Sequence, residues 1–265
     1  MSFFLSHDGV RIAYRVDGPA NAPTLVLLNS IGTNMHMWDQ QVARLNTTLR
    51  IVRYDCRGHG DSDAPKGEYT IEQLGLDLLA LLDTLQIEQT QLCGLSLGGM
   101  IALWFTITYP TRVTQAVFAN TAARIGTVER WNERIDAVKT NGMAAIRDAS
   151  LTRFLSADFR QRNPETTQQI GNMIEATPAT GYSGACAVLR DTDLRELVST
   201  IHIPALILAG ELDTSTPPSQ ARELHAALTG SQIHTFADVA HLSNVERPIE
   251  FSNYLQTFLA HIDHS

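Results

Sequence analysis

The stretch TQLCGLSLGGMIALWFTITYP, residues 90–110, decides the fold. A short apolar run ending at Cys93 meets Gly94-Leu95-Ser96-Leu97-Gly98, and an apolar helical run then continues until Pro110 ends it. The pattern G-x-S-x-G acquires meaning from this strand-then-helix context. A serine on a very sharp turn stands its hydroxyl clear of the backbone, in a strained conformation with its neighbours pressed close. Glycine two positions before and two after removes the side chains that would clash. The helix that starts at the serine aims unsatisfied N–H groups at any negative charge forming nearby. Ser96 is the candidate nucleophile.

Working outward, short β-rich runs alternate with helical periods. Val10 to Val16, Thr24 to Leu28 (TLVLL), Arg50 to Tyr54 (RIVRY), Thr90 to Cys93, Val113 to Ala119, Ala205 to Ala209 (ALILA) and Gln232 to Phe236 read as strands. Met37 to Leu45, Thr70 to Leu85 with its leucines at helical spacing, the run up to Tyr109, and Ile249 to Ile262 read as helices. This alternation predicts a mostly parallel sheet with helices on both faces. One stretch breaks the rhythm: Ala122 to Thr200 carries helical periods but no strand. The expected organisation is a core of residues 1–121 and 200–265, with a small helical cap, 122–199, inserted between core strands.

A serine hydroxyl is a poor nucleophile near neutral pH and needs a base. Behind an elbow of this kind the order along the chain is serine, acid, histidine. Among nine histidines, His241 lies just after the last strand and before the closing helix, at the carboxyl edge of the sheet where open α/β folds bind ligands. His59 also follows a strand but precedes Ser96. Asp213 follows ALILA and reaches the same edge, where it would accept the Nδ1–H of His241. Glu211 and Asp238 are weaker rivals. The other acid position, after the strand ending at Ala119, holds Asn120, which carries no charge. Two backbone donors should hold a developing oxyanion: Leu97, and Ile31 in the loop Asn29-Ser30-Ile31-Gly32.

Composition narrows the field. The chain has 265 residues, of which 44% are hydrophobic, ample for one full core. A net charge of -8 argues against nucleic acid or an anionic membrane as a partner. A few arginines could still make a pocket locally positive. Cys56, Cys93 and Cys186 form no metal or disulfide pattern, and the start shows no signal peptide, so a cytoplasmic protein is expected.

The elbow, the Y-D-x-R-G-H-G-x-S stretch at Tyr54 to Ser62, the G-x-x-D at Gly210 to Asp213 and the late A-H-L together resemble the α/β-hydrolase superfamily. That resemblance implies an eight-stranded, mostly parallel sheet with a helical cap. Family members usually carry His-Gly-x-Gly where this chain has Asn29-Ser30-Ile31-Gly32. A closer resemblance is to the 3-oxoadipate enol-lactonases of the β-ketoadipate pathway of aromatic catabolism. It rests on NSIGTNMHMWD (29–39), RYDCRGHGDSDAP (53–65), CGLSLGGMI (93–101), NTAARIG (120–126), GYSGACAVLRDTDLRE (181–196) and AHLSNVERP (240–248). It implies a small anionic lactone as substrate and neither metal nor organic cofactor. Arg190 and Arg124, in the two cap segments, are then expected to hold the substrate carboxylate, with Trp131 and Trp38 as pocket walls. His36 could reach the pocket from the oxyanion loop. Asp55 and Arg57 could pair with each other in a scaffold loop. A general carboxylesterase, a cofactor-free haloperoxidase, a C–C hydrolase or a hydrolase-like ligand receptor would use the same scaffold.

Overall fold

The computed structural model describes residues 1–260; the expected end of the closing helix at 261–262, with His261 and His264, lies outside the described residues. Eight strands form one sheet: β1 (Ser2–Leu5), β2 (Arg11–Asp17), β3 (Thr24–Leu28), β4 (Arg50–Tyr54), β5 (Thr90–Leu95), β6 (Val113–Ala119), β7 (Ala205–Gly210) and β8 (Gln232–Phe236). Their order is β1-β2-β4-β3-β5-β6-β7-β8. β1 and β2 are antiparallel, and β3 to β8 run parallel. Every residue of β5 and β7 is buried, and all of β3 but its first, because helices cover both faces of the sheet. β1 escapes a reading by period because only Phe4 in it is buried, while Phe3 and Leu5 face solvent.

The helices are α1 (Asp39–Leu45), α2 (Ile71–Thr84), α3 (Leu97–Thr108), α4 (Val128–Asn141), α5 (Ala144–Phe154), α6 (Ala157–Arg162), α7 (Pro164–Ala176), α8 (Ala179–Asp191), α9 (Pro218–Ala227), α10 (Ser243–Glu246) and α11 (Pro248–Ala260). The expected helix at 37–45 divides into a 3₁₀ turn over Met35–Trp38 and α1. A Thr70–Gln73 capping box starts α2. α3 is buried along most of its length, which its unbroken apolar sequence requires.

Two features of this topology place the chemistry. The chain leaves β3 for β4 on one side and returns to β5 on the other, so the loops after β3 and β5 part around a crevice at the carboxyl edge. The segments that follow β6, β7 and β8 reach the same edge because these strands are parallel. The second feature is the insertion. α4 to α8 all fall between β6 and β7, with α4 packed on α8 and α5 on α7. The Leu194 N–H donates to the Ala123 carbonyl at 2.8 Å, drawing the ends of the insertion together. α8 crosses the loop after β4 with Gly181 directly against Gly58, where a side chain on either residue would meet backbone.

That loop is scaffold, by a different pairing from the expected one. Asp55 does not pair with Arg57. It accepts the N–H groups of Met35 at 2.7 Å and Asp61 at 2.9 Å. The Arg57 fork turns the other way, donating to both oxygens of Asp77 at 2.7 and 2.6 Å and both oxygens of Asp8 at 2.9 Å. One guanidinium thus joins the β1–β2 turn, the loop after β4 and α2, and Asp77 is buried with it. Removing one member of a buried pair leaves an uncompensated charge. Asp77→Ala should therefore lower unfolding free energy in urea by about 3–5 kcal/mol. A loss below about 1 kcal/mol, the scale of a surface pair, would argue against this network as a structural anchor.

Candidate active site

Ser96 sits between β5 and α3 with φ +59° and ψ −115°. A left-handed conformation at a non-glycine residue costs about 1–3 kcal/mol and persists only where the surroundings enforce it. Here they do. The Ser96 N–H donates to the Ala119 carbonyl at 3.0 Å, and the Thr121 hydroxyl donates to the Ser96 carbonyl at 2.8 Å. Gly94 lies against the Gly98 backbone, and Gly98 against the Leu28 carbonyl, so neither position has room for a side chain. The Gly98 N–H donates to the Asn29 carbonyl at 3.0 Å and staples the loop after β3 to the elbow. Leu97, as the first residue of α3, has no carbonyl one helical turn back for its N–H. Ile31, buried in the stapled loop, lines the same cavity as Ser96.

His241 stands in the loop between β8 and α10 and is buried. Its Nδ1 is 2.7 Å from Asp213 Oδ2. The Phe154 ring stacks on the imidazole at 5.4 Å between centroids. Ser96 and His241 line one cavity, but no hydrogen bond joins the Ser96 hydroxyl to the imidazole. Such contacts often tighten only around bound substrate.

Asp213 is the most heavily coordinated group in the site. Besides His241, its Oδ2 accepts from the Thr216 hydroxyl at 2.7 Å and the Asn120 amide at 2.9 Å. Its Oδ1 accepts the N–H groups of Ser215 at 2.8 Å and Thr216 at 3.0 Å. Burial alone would raise its pKa. The charge on His241 and the hydrogen bonds from His241, Asn120 and Thr216 outweigh that cost and hold the carboxyl below its ordinary range. Asn120, read from sequence only as an empty acid position, has a part of its own. Held at φ +42°, it donates to Asp213 and to the Ala240 carbonyl at 3.3 Å, and accepts the Ser243 hydroxyl at 2.5 Å. It bridges the acid loop and the histidine loop.

The rivals fall elsewhere. His59 is buried away from the cavity, and burial lowers its pKa to about 4, leaving it neutral. Glu211 accepts the Asp238 N–H, and neither residue lines the cavity. His225 pairs with Ser231 and His234 stacks on Tyr254.

The cavity walls correct part of the substrate-binding expectation. Trp131 does line the cavity, with its indole N–H on the Ile125 carbonyl at 2.6 Å. Trp38 does not. It is fully buried, donates to the Asn29 side chain at 3.0 Å and packs on Phe251, so it is core. Arg190 does not reach the cavity either. Glu68 holds it with both oxygens at 2.9 and 2.7 Å, and Asp191 with both at 2.7 Å, so two carboxylates already satisfy its fork. Arg124 pairs with Asp193 at 3.2 Å in a neighbouring groove. His36 pairs with Asp39 at 3.1 Å outside the cavity.

Two other arginines stand where those were expected. Arg130 and Arg134, one helical turn apart on α4, line the cavity with Ser96 and His241. Arg134 lies over the Trp131 ring at 5.1 Å and touches the Tyr182 hydroxyl at 3.4 Å. Arg153, beside Phe154, bonds only to the Ser150 hydroxyl at 3.0 Å. Among the described residues no carboxylate pairs with any of the three. Burial, and then the positive fields of Arg134 and Arg130, lower the Arg153 pKa to about 10. The i, i+4 spacing of Arg130 and Arg134 puts both on one side of α4, but nothing in the local sequence distinguishes that side from a solvated helix face. Among the described residues no group of three His, Cys, Asp or Glu side chains converges to hold a metal ion.

The family model for the alpha/beta hydrolase fold matches residues 23–248. The chain is 38% identical to 3-oxoadipate enol-lactonase 1 of Acinetobacter baylyi, over 97% of this chain and 96% of that one. It is 36% identical to 3-oxoadipate enol-lactonase 2 of the same organism, over 96% and 95%. The crystal structure of the enol-lactonase from Burkholderia xenovorans LB400 superposes with a TM-score of 0.96 at 40% identity, covering 98% of this chain and all of that one. With the elbow at the switch point of a mostly parallel eight-stranded sheet, these likenesses establish that the chain belongs to the α/β-hydrolase family.

Proposed function

We propose that this enzyme hydrolyses 3-oxoadipate enol-lactone to 3-oxoadipate, with Ser96, His241 and Asp213 as its catalytic triad. The observation that carries the substrate class is the arginine cluster. On a chain of net charge -8, Arg130 and Arg134 line the cavity of the nucleophile, Arg153 lies within their field, and among the described residues none of the three has a carboxylate partner. An unpaired cluster of like charge stays stable in a substrate-free site only at a cost, which an anionic ligand relieves. The lactone carries a free acetate arm, and the enol-lactonase relatives act on a substrate of this kind by name.

The chemistry follows from the placement of each group. Ser96 Oγ attacks the lactone carbonyl while His241 Nε2 takes its proton. The N–H groups of Ile31 and Leu97 receive the oxyanion. Collapse of the tetrahedral intermediate breaks the ring C–O bond, and the enol oxygen takes the proton back from His241. The enol then becomes a ketone, so the leaving group needs little assistance. A water molecule, deprotonated by His241, attacks the acyl-enzyme; the second tetrahedral intermediate expels Ser96 Oγ, which takes that proton back from His241, and a second carboxylate is released. Asp213 keeps Nδ1 protonated and stabilises the imidazolium without taking the proton. The insertion 122–199 acts as the cap. It supplies Arg130, Trp131 and Arg134 to one side of the site and Phe154 to the face of His241.

Purified enzyme should hydrolyse the enol-lactone far faster than neutral aryl esters; comparable kcat/KM on both would reduce the assignment to a general esterase. Ser96→Ala should abolish turnover with the fold intact by circular dichroism. Asp213→Asn should lower kcat by about 10⁴, as in serine proteases. Arg134→Ala should raise KM for the lactone about 10–100-fold, the worth of a hydrogen bond to a charged group, and spare a neutral ester. Equal effects on both substrates would argue against carboxylate recognition by α4.

A further inference from the structure

The backbone N–H groups of the residues on either side of His241 are held by groups that move no proton in the chemistry just described. Before His241, the Ala240 N–H donates to Glu246 Oε1 at 2.8 Å. After it, the Leu242 N–H donates to the Phe154 carbonyl at 2.9 Å. Glu246 also accepts the Ser156 N–H at 3.2 Å on Oε1 and the Ser156 hydroxyl at 2.5 Å on Oε2. Phe154 ends α5 and Ser156 caps α6, both within the insertion. Glu246 is therefore a bracket. One carboxylate holds the insertion with one oxygen pair and the histidine loop with the same group, while Phe154 closes the other side of that loop and stacks on the imidazole.

The chemistry of the bracket calls for a carboxylate. Three donors converge on Glu246 and no cation pairs with it among the described residues. A buried carboxylate without an ion-pair partner is costly: burial raises its pKa, against the three hydrogen bonds and the field of Arg247. A glutamine of the same shape would lose the charge, and its NH₂ would have to donate to the Ser156 hydroxyl, which would give up its own donation while still accepting the Phe159 N–H. A hydrophobic residue would leave all three unsatisfied. Simple anchoring of α10 does not require an arrangement that joins Ser156 to the peptide preceding the general base.

We infer that Glu246 is a positioning residue, which fixes the backbone of His241 to the 154–156 segment so that the imidazole and the cap wall are set as one unit. The inference rests on the reading of His241 as the base. Loss of the bracket should misplace the imidazole and slow every step in which it moves a proton, while leaving the arginine cluster, and so substrate binding, largely intact.

The test compares Glu246→Gln, Glu246→Ala and Ser156→Ala with wild type, on the enol-lactone and on p-nitrophenyl acetate. Phosphonylation of Ser96 by a fluorophosphonate probe is followed in parallel. Glu246→Gln should lower kcat about 10–100-fold with KM changed less than about threefold, and slow labelling of Ser96 to a similar degree. Ser156→Ala, which removes one bond of the bracket, should fall between Glu246→Gln and wild type. If Glu246→Ala does not fold, the other two variants decide the matter. Wild-type kcat and labelling rates in Glu246→Gln, with only a lowered unfolding midpoint, would overturn the inference and leave Glu246 a structural residue. A loss confined to KM would overturn it too. His241→Ala serves as the reference: if it retains turnover, the base assignment fails and takes this inference with it. If His241→Ala is inactive while Glu246→Gln is unaffected, only the bracket fails. Because p-nitrophenyl acetate and the probe carry no carboxylate, an error in the lactone assignment leaves these outcomes readable.

Discussion

The hydrogen bond from His241 Nδ1 to Asp213 at 2.7 Å, sealed from water, is the interaction around which the rest of the site is arranged. A buried carboxylate is tolerable only when donors surround it. Asn120, Ser215 and Thr216 supply them, and each arrives from the carboxyl end of a parallel strand or the turn that follows it. The sheet order is what makes this possible. β6 delivers Asn120, β7 delivers Asp213 and β8 delivers His241, side by side. Ser96 faces them from β5 across a turn that two glycines and the Ala119 carbonyl hold in an otherwise unfavourable conformation.

Electrostatics then divides the molecule. The chain as a whole is acidic, and among the described residues half of the eighteen arginines are held in ion pairs, such as Arg57 with Asp8 and Asp77, or Arg190 with Glu68 and Asp191. Arg130 and Arg134, which line the cavity, are among those with no carboxylate partner among the described residues. A positive recess in an acidic body attracts small anions while repelling polyanions, because the field of the recess dominates only at short range. In the proposed function, substrate selection lies with the insertion between β6 and β7, and bond cleavage with the sheet edge. The two meet at the 154–156 segment.

Much of this was legible in the sequence. β3, β4 and β6 have the bounds that their apolar runs suggest, because each run is mostly buried in the sheet and stops at turn residues; β8 has the expected bounds too, although only Phe236 in it is buried. The elbow was readable because a strained serine demands glycine at fixed offsets. The order of Asp213 and His241 after Ser96 was readable because strand succession fixes which loops share an edge. The substrate contacts were less so. Arg190 lies in a segment resembling the enol-lactonases, yet its neighbour Asp191 already pairs with it, and Glu68 is brought in from 122 residues away. An exposed Arg130 one turn from Arg134 has the local pattern of any solvated helix face. Only the packing of α4 over the carboxyl edge makes it a cavity wall. Trp38 lies in the stapled loop that leads to Ile31, but its side chain turns inward to Asn29 and Phe251. Loop sequence identifies the neighbourhood of a site; side-chain direction depends on tertiary contacts that no local pattern encodes.

The most direct measurement is a crystal structure of the Ser96→Ala variant with the enol-lactone bound. The lactone carbonyl carbon should lie within about 3–3.5 Å of the position that the Ser96 hydroxyl would occupy. Its oxygen should point to the N–H groups of Ile31 and Leu97, and its acetate arm should rest on Arg130, Arg134 or Arg153. A carboxylate directed to solvent or held by Arg190, or a carbonyl turned away from both N–H groups, would contradict the assignment of this site to an anionic enol-lactone.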